Sequence, residues 1–81
     1  MNNVDLIRTA VIDAATLCEF LYHGRRGNID PGYIPGRSDS FLLWFDGKEQ
    51  IVYGFNAVLD TPFFDGEPLR SIANELTGID W

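Results

Sequence analysis

Residues 41–54 read FLLWFDGKEQIVYG, and this stretch limits the folds open to the chain. Asp46-Gly47 suits a two-residue type I′ turn, whose central residues both need positive φ. A hairpin about that turn pairs Phe45 with Lys48, Trp44 with Glu49, Leu43 with Gln50, Leu42 with Ile51 and Phe41 with Val52. Side chains alternate across a strand, so Phe41, Leu43, Phe45 and Val52 share one face, and Leu42, Trp44, Ile51 and Tyr53 the other. Both faces are apolar. The hairpin therefore needs cover on two sides, from a chain of only 81 residues.

That length makes one domain, residues 1–81, able to bury roughly 60% of its unfolded surface. With 46% hydrophobic and 14% aromatic residues the chain is globular, not disordered. The net charge is −6, and it is unevenly placed. Residues 1–37 hold four arginines and four acids, whereas residues 38–81 hold Lys48 and Arg70 against eight acids. Such an acidic half repels nucleic acid and attracts basic surfaces. Cys18 is the only cysteine, so an intrachain disulfide and a cysteine-based zinc cage are both excluded, and a reducing, cytoplasmic setting is expected. The first residues lack the basic and apolar regions of a signal peptide, and no apolar run approaches the ~20 residues of a membrane span.

Near the N-terminus, Asn2 or Asn3 caps a helix with Asp5 in its first turn, and Val4, Ile7, Val11 and Ala14 or Ala15 form its apolar stripe. Residues 17–30 allow two readings. Cys18, Leu21 and Tyr22 extend the helix to a stop at Gly24, or residues 17–23 form a strand that turns at Gly24-Arg25 and sets Phe20 opposite Ile29. Pro31 ends the element in both cases. The segment PGYIPGRSDS, which carries Tyr33, is a long loop, either a plain crossover or a binding loop. Beyond it, Asn56 caps a short helical turn that Thr61-Pro62 ends. Asp65 or Glu67 caps a last helix with Leu69, Ile72, Ala73 and Leu76 buried, Gly78 as its stop and Trp81 folded back onto the body.

From Phe20 onward, the chain resembles a family of small, uncharacterised proteins from bacterial genomes and their phages. The pattern is an aromatic hairpin ending in Asp-Pro (Phe20, Tyr22, Gly24, Ile29, Asp30, Pro31), then an aromatic strand (Phe41, Trp44). An aliphatic pair and a Pro-x-Phe-Asp-Gly motif follow, leading into a helix (Val58, Leu59, Pro62, Phe63, Phe64, Asp65, Gly66, Leu69, Ile72). The chain departs from it in the longer GYIPGRSDS loop and in Pro68, where a serine-like cap is expected. The resemblance implies no catalytic residues, and it favours the hairpin at residues 17–30. The expected fold is then α+β: an N-terminal helix, a four-stranded antiparallel sheet of two hairpins, a short helix and a C-terminal helix, packed as a two-layer sandwich.

No catalytic set emerges. On one strand, Cys18 and His23 point to opposite faces, which spoils a nucleophile–base pair. Metal-ligand spacings are absent, and HGRRGN is not a phosphate loop, so no cofactor is expected. Arg25, Arg26 and Arg37 form either a basic patch or salt bridges to the acidic half. The chain thus reads as no enzyme but a protein-binding module, most concretely an acidic inhibitor of a bacterial defence nuclease, anti-CRISPR-like, carried by a phage or mobile element. A toxin immunity protein or antitoxin, a homo-oligomeric adaptor, and a small enzyme subunit completed across an oligomer interface are the alternatives. Its partner is another protein with a basic surface, or a second copy; neither nucleic acid nor membrane is expected. The residues expected to meet it are Trp44, Tyr53, Asp46, Glu49 and Tyr33.

Overall fold

A computed structural model describes residues 2–81. Helix α1 (Asn3–Arg8) starts where the side chain of Asn2 accepts the backbone N–H of Asp5 at 2.8 Å, with Asp5 itself in the first turn. A π-helical turn, Thr9–Asp13, continues it, and Ala15 then reverses the chain at φ 49°. Val4, Ile7 and Val11 face inward as expected, but Ala10 completes the stripe while Ala14 and Ala15 are exposed.

Strands β1 (Cys18–Tyr22), β2 (Arg25–Pro31), β3 (Ser40–Phe45) and β4 (Lys48–Tyr53) form an antiparallel meander. The β3–β4 register is the one the sequence predicts, extended by Ser40 opposite Tyr53. Residues 17–30 do form a hairpin, but its turn is His23-Gly24, which sets Phe20 opposite Gly27 and Cys18 opposite Ile29. Turning at Gly24-Arg25 would force Arg25 to positive φ, whereas glycine second in the turn takes that strain. The register shifts by two residues, so every side chain keeps its predicted face.

Past β4 the structure departs further from the sequence reading. Helix α2 (Phe55–Asp60) leads into a small hairpin of β5 (Pro62–Phe64) and β6 (Glu67–Pro68). Asp65-Gly66 is therefore not a helix cap. Its φ values of 56° and 77° make a second Asp-Gly turn of the Asp46-Gly47 kind. The last helix shrinks to α3 (Leu69–Ile72) and a 3₁₀ turn (Ala73–Glu75). Leu76–Asp80 then runs as β7 along β1, so the sheet has five strands in the order β4-β3-β2-β1-β7. Gly78 is no helix stop; at φ 60° it lies where the β1–β7 register slips, between Leu21–Thr77 and Glu19–Asp80. Trp81 follows β7 and is 47% exposed, short of the docked end that the sequence suggests. At the other end of this segment, Asn3 Nδ2 donates to the carbonyl of Ala73 at 2.7 Å and ties α1 to the approach of β7.

All the helices and the β5–β6 hairpin pack on one face of the sheet. There Ile7, Val11, Val58, Leu69 and Ile72 meet Cys18, Phe20, Ile29, Leu43 and Phe45 in one buried core. Phe64 sits at its centre, with ring centroids 5.6 Å from Phe20 and 5.7 Å from Phe45. Arg25 closes the turn end of this layer. Its guanidinium pairs with Asp46 at 3.0 Å and with Asp65, and lies 4.8 Å above the Phe45 ring. One side chain thus holds both Asp-Gly turns.

Candidate functional site: the open face of the sheet

Helix α2, the β5–β6 hairpin and α3 go to the core side, Phe64 included, and among the described residues the second sheet face receives cover from the loop of residues 32–39. That loop is pinned at one end of the sheet. Ser40, fully buried, accepts the N–H of Ile34 at 2.9 Å and donates to the carbonyl of Arg37 at 2.6 Å. Gly54 N–H donates to the carbonyl of Asp39 at 2.8 Å, and Arg37, bonded to Asp39 by both its Nε and Nη2, lies 4.6 Å over the Tyr53 ring. The hydrogen bond from Arg37 holds the Asp39 carboxyl below its ordinary range.

The rest of the face is open. Strand pairing arranges it in cross-strand rows. Leu42 lies between Asp30 and Ile51, and the next row runs Glu19, Asn28, Trp44, Glu49. Leu21 and Arg26 form a third pair. Leu21, Ile51 and Tyr53 are 39%, 38% and 48% exposed, while Leu42 and Trp44 are half-buried by their neighbours. A shallow groove of about 340 Å³ runs between Leu17 and Trp44, floored by Asn28 and Asp30. Antiparallel sheets commonly leave one face to water, but that face then alternates to polar residues. Here Leu17, Leu21, Leu42, Trp44, Ile51 and Tyr53 share it about evenly with Glu19, Arg26, Asn28, Asp30 and Glu49.

Of the residues expected to meet a partner, Trp44, Glu49 and Tyr53 lie on this face, with Trp44 and Glu49 directly opposite one another. Asp46 does not join them, because Arg25 draws its carboxylate to the core side of the turn. Tyr33 is exposed on the 32–39 loop. The sequence reading left out Leu17, Leu21, Arg26, Asn28 and Asp30; alternation along the β1–β2 hairpin was the signal that puts them on the face of Trp44.

Two of the three arginines considered as a basic patch are engaged in salt bridges to the acidic half: Arg25 with Asp46 and Asp65, Arg37 with Asp39. Among the described residues no three of His, Cys, Asp and Glu gather as a metal ion requires, and no helix is long and apolar enough to cross a membrane. Cys18 is buried in the core, while His23 sits on the exposed β1–β2 turn, stacked on Tyr22 and 3.0 Å from Glu75. Burial pushes the Cys18 thiol up to about 11, with Asp80 and Glu19 adding to the shift. Since the thiolate is the nucleophile, Cys18 is expected to resist iodoacetamide at mildly alkaline pH in the folded chain and to react once the chain is unfolded. Mass spectrometry reads the adduct; alkylation of the native protein at the rate of a free thiol would refute this.

No family model, curated protein or solved structure matches the chain.

Proposed function

We propose that the chain is a non-catalytic protein-binding module that docks through the open face of its sheet. One observation carries the reading: the apolar residues Leu21, Leu42, Trp44, Ile51 and Tyr53 stand on the sheet face away from the core, where the 32–39 loop lays Arg37 over Tyr53 and Leu21 and Ile51 remain exposed. Contiguous exposed apolar surface marks interaction sites, and tryptophan and tyrosine are the side chains that most often dominate binding energy. The acidic excess favours the inhibitor role, a cytoplasmic protein that occupies the basic nucleic-acid groove of a bacterial defence nuclease. An immunity protein against a toxin is the second reading, favoured by the same acidic surface.

A photo-crosslinking amino acid placed at Ile51, and separately at Asn74 on the helical side, tests the docking role in cells. A discrete protein adduct is expected from Ile51 and not from Asn74. Trp44→Ala is expected to weaken the complex by about 2 kcal/mol, a loss of roughly 30-fold in affinity. Tyr53→Ala is a milder companion should Trp44→Ala melt early. Adducts from Asn74 alone, or unchanged affinity in both folded variants, would show that this face is not the site.

A further inference from the structure

We infer that the open face is filled by a different protein presenting arginine or lysine among apolar side chains, and not by a second copy of this chain. This rests on the docking role proposed above and concerns its occupant. The argument starts from charge. On β1–β4 the open face carries the carboxylates of Glu19, Asp30 and Glu49 against the single guanidinium of Arg26. Elsewhere Arg25, Arg37 and Arg70 are spent on Asp39, Asp46, Asp60 and Asp65, yet the three face carboxylates have no ion-pair partner among the described residues. Asp5, Asp13 and Glu67 elsewhere are without an ion pair among the described residues as well, but the unpaired acids of the open face stand beside exposed apolar residues.

Face-to-face packing of two copies would bring six carboxylates together with only two guanidiniums. The acids are spread over β1, β2 and β4, so stacking the two faces would bury carboxylates in excess of cations, and burying unpaired charge is strongly unfavourable. A basic partner reverses the sign of that term. The groove beside Trp44 shows how one basic residue would sit. Its aliphatic stem would lie along Leu42 and its cationic head over the indole, flanked by the carboxylates of Glu19 and Asp30, which outnumber the one resident cation of the groove, Arg26. At about 340 Å³ the groove is at the low end of ligand pockets, a size suited to a side chain.

The test uses the full chain, isotope-labelled, and two capped probe peptides: one alternating leucine with arginine, the other leucine with glutamate. The leucine–arginine peptide is expected to shift the Trp44 indole N–H and the amides of Asn28, Asp30 and Leu42, with affinity falling as salt rises. The leucine–glutamate peptide is expected to leave these resonances unmoved. Glu19→Gln with Asp30→Asn is expected to weaken the first peptide at least about tenfold; the salt series supplies the same information if that variant does not fold. Sedimentation is expected to show a monomer up to millimolar concentration. A dimer whose shifts centre on Trp44 and Ile51 would overturn this inference while leaving the face a docking surface. Equal shifts from both peptides, or shifts confined to other surfaces, would overturn it too. The broader docking role fails separately, through the crosslinking result.

Discussion

Replacing Phe64 with alanine is expected to cost about 3–5 kcal/mol, a large part of the 5–15 kcal/mol that holds a domain of this kind together. Phe64 is fully buried and touches elements from both halves of the chain: its ring meets Phe20 of β1 and Phe45 of β3, and Phe63 packs edge-on against it at 5.1 Å. Truncation opens a cavity between the sheet and the β5–β6 hairpin, and the two-residue strand β6 offers little that can collapse into it. Phe63→Ala is the internal comparison, because Phe63 is only partly buried and its loss exposes less void. Urea denaturation followed by circular dichroism measures both. A Phe64→Ala loss no greater than that of Phe63→Ala would mean that the centre of the core lies elsewhere.

Gly27→Ala is expected to destabilise the fold by about 1–3 kcal/mol, although it adds only one methyl group. Gly27 is buried on β2 directly opposite Phe20, and a Cβ there would lie 2.6 Å from Phe20 Cε1 and 3.3 Å from Phe45 Cδ1. Neither ring is free to retreat, since both press on Phe64. The glycine is there for space, not for backbone freedom. A double-mutant cycle isolates the cause: Phe20→Leu in the Gly27→Ala background should recover part of the loss, with a coupling of about 0.5–3 kcal/mol. Strict additivity would assign the cost to strand propensity instead.

What could be read from the sequence, and what could not, follows the range of the interactions involved. The β3–β4 hairpin was legible because Asp46-Gly47 and the alternation beside it are local and agree with each other. Asp65-Gly66 carries the same turn signal, but Pro68 and the spacing of Leu69, Ile72, Ala73 and Leu76 imitate a helix behind its cap. Those four residues are indeed buried, through a short helix, a 3₁₀ turn and the start of a strand in succession. Gly78 was equally ambiguous, since a left-handed glycine serves a helix end and a strand irregularity alike. The first helix ends on a left-handed alanine, Ala15, where the usual glycine marker is missing. At the candidate site, alternation placed Trp44, Glu49 and Tyr53 correctly, and the two-residue error in the first hairpin left faces untouched. Asp46 was misplaced because its carboxylate answers to Arg25, which is 21 positions away in the chain.

The pairing of β7 with β1 has a consequence for how the molecule opens. β1 meets β2 through a two-residue turn, but it meets β7 only after the chain has travelled through β2–β6, α2 and α3, so that last ladder closes the longest loop of the sheet and carries its largest loop-closure entropy. It is also irregular in register, and Thr77, Gly78 and Asp80 are exposed. Sub-global unfolding should therefore begin there, with β7 peeling away and the Asn3–Ala73 tie breaking while the four-stranded meander persists. Amide exchange across β7 would run ahead of exchange in β2 and β3. In that opened form β1 becomes a bare strand edge, backed by Phe20 and Tyr22, with unpaired N–H and C=O groups able to template another strand. Strand exchange between molecules would start from this latent edge, on the opposite side of the sheet from β4.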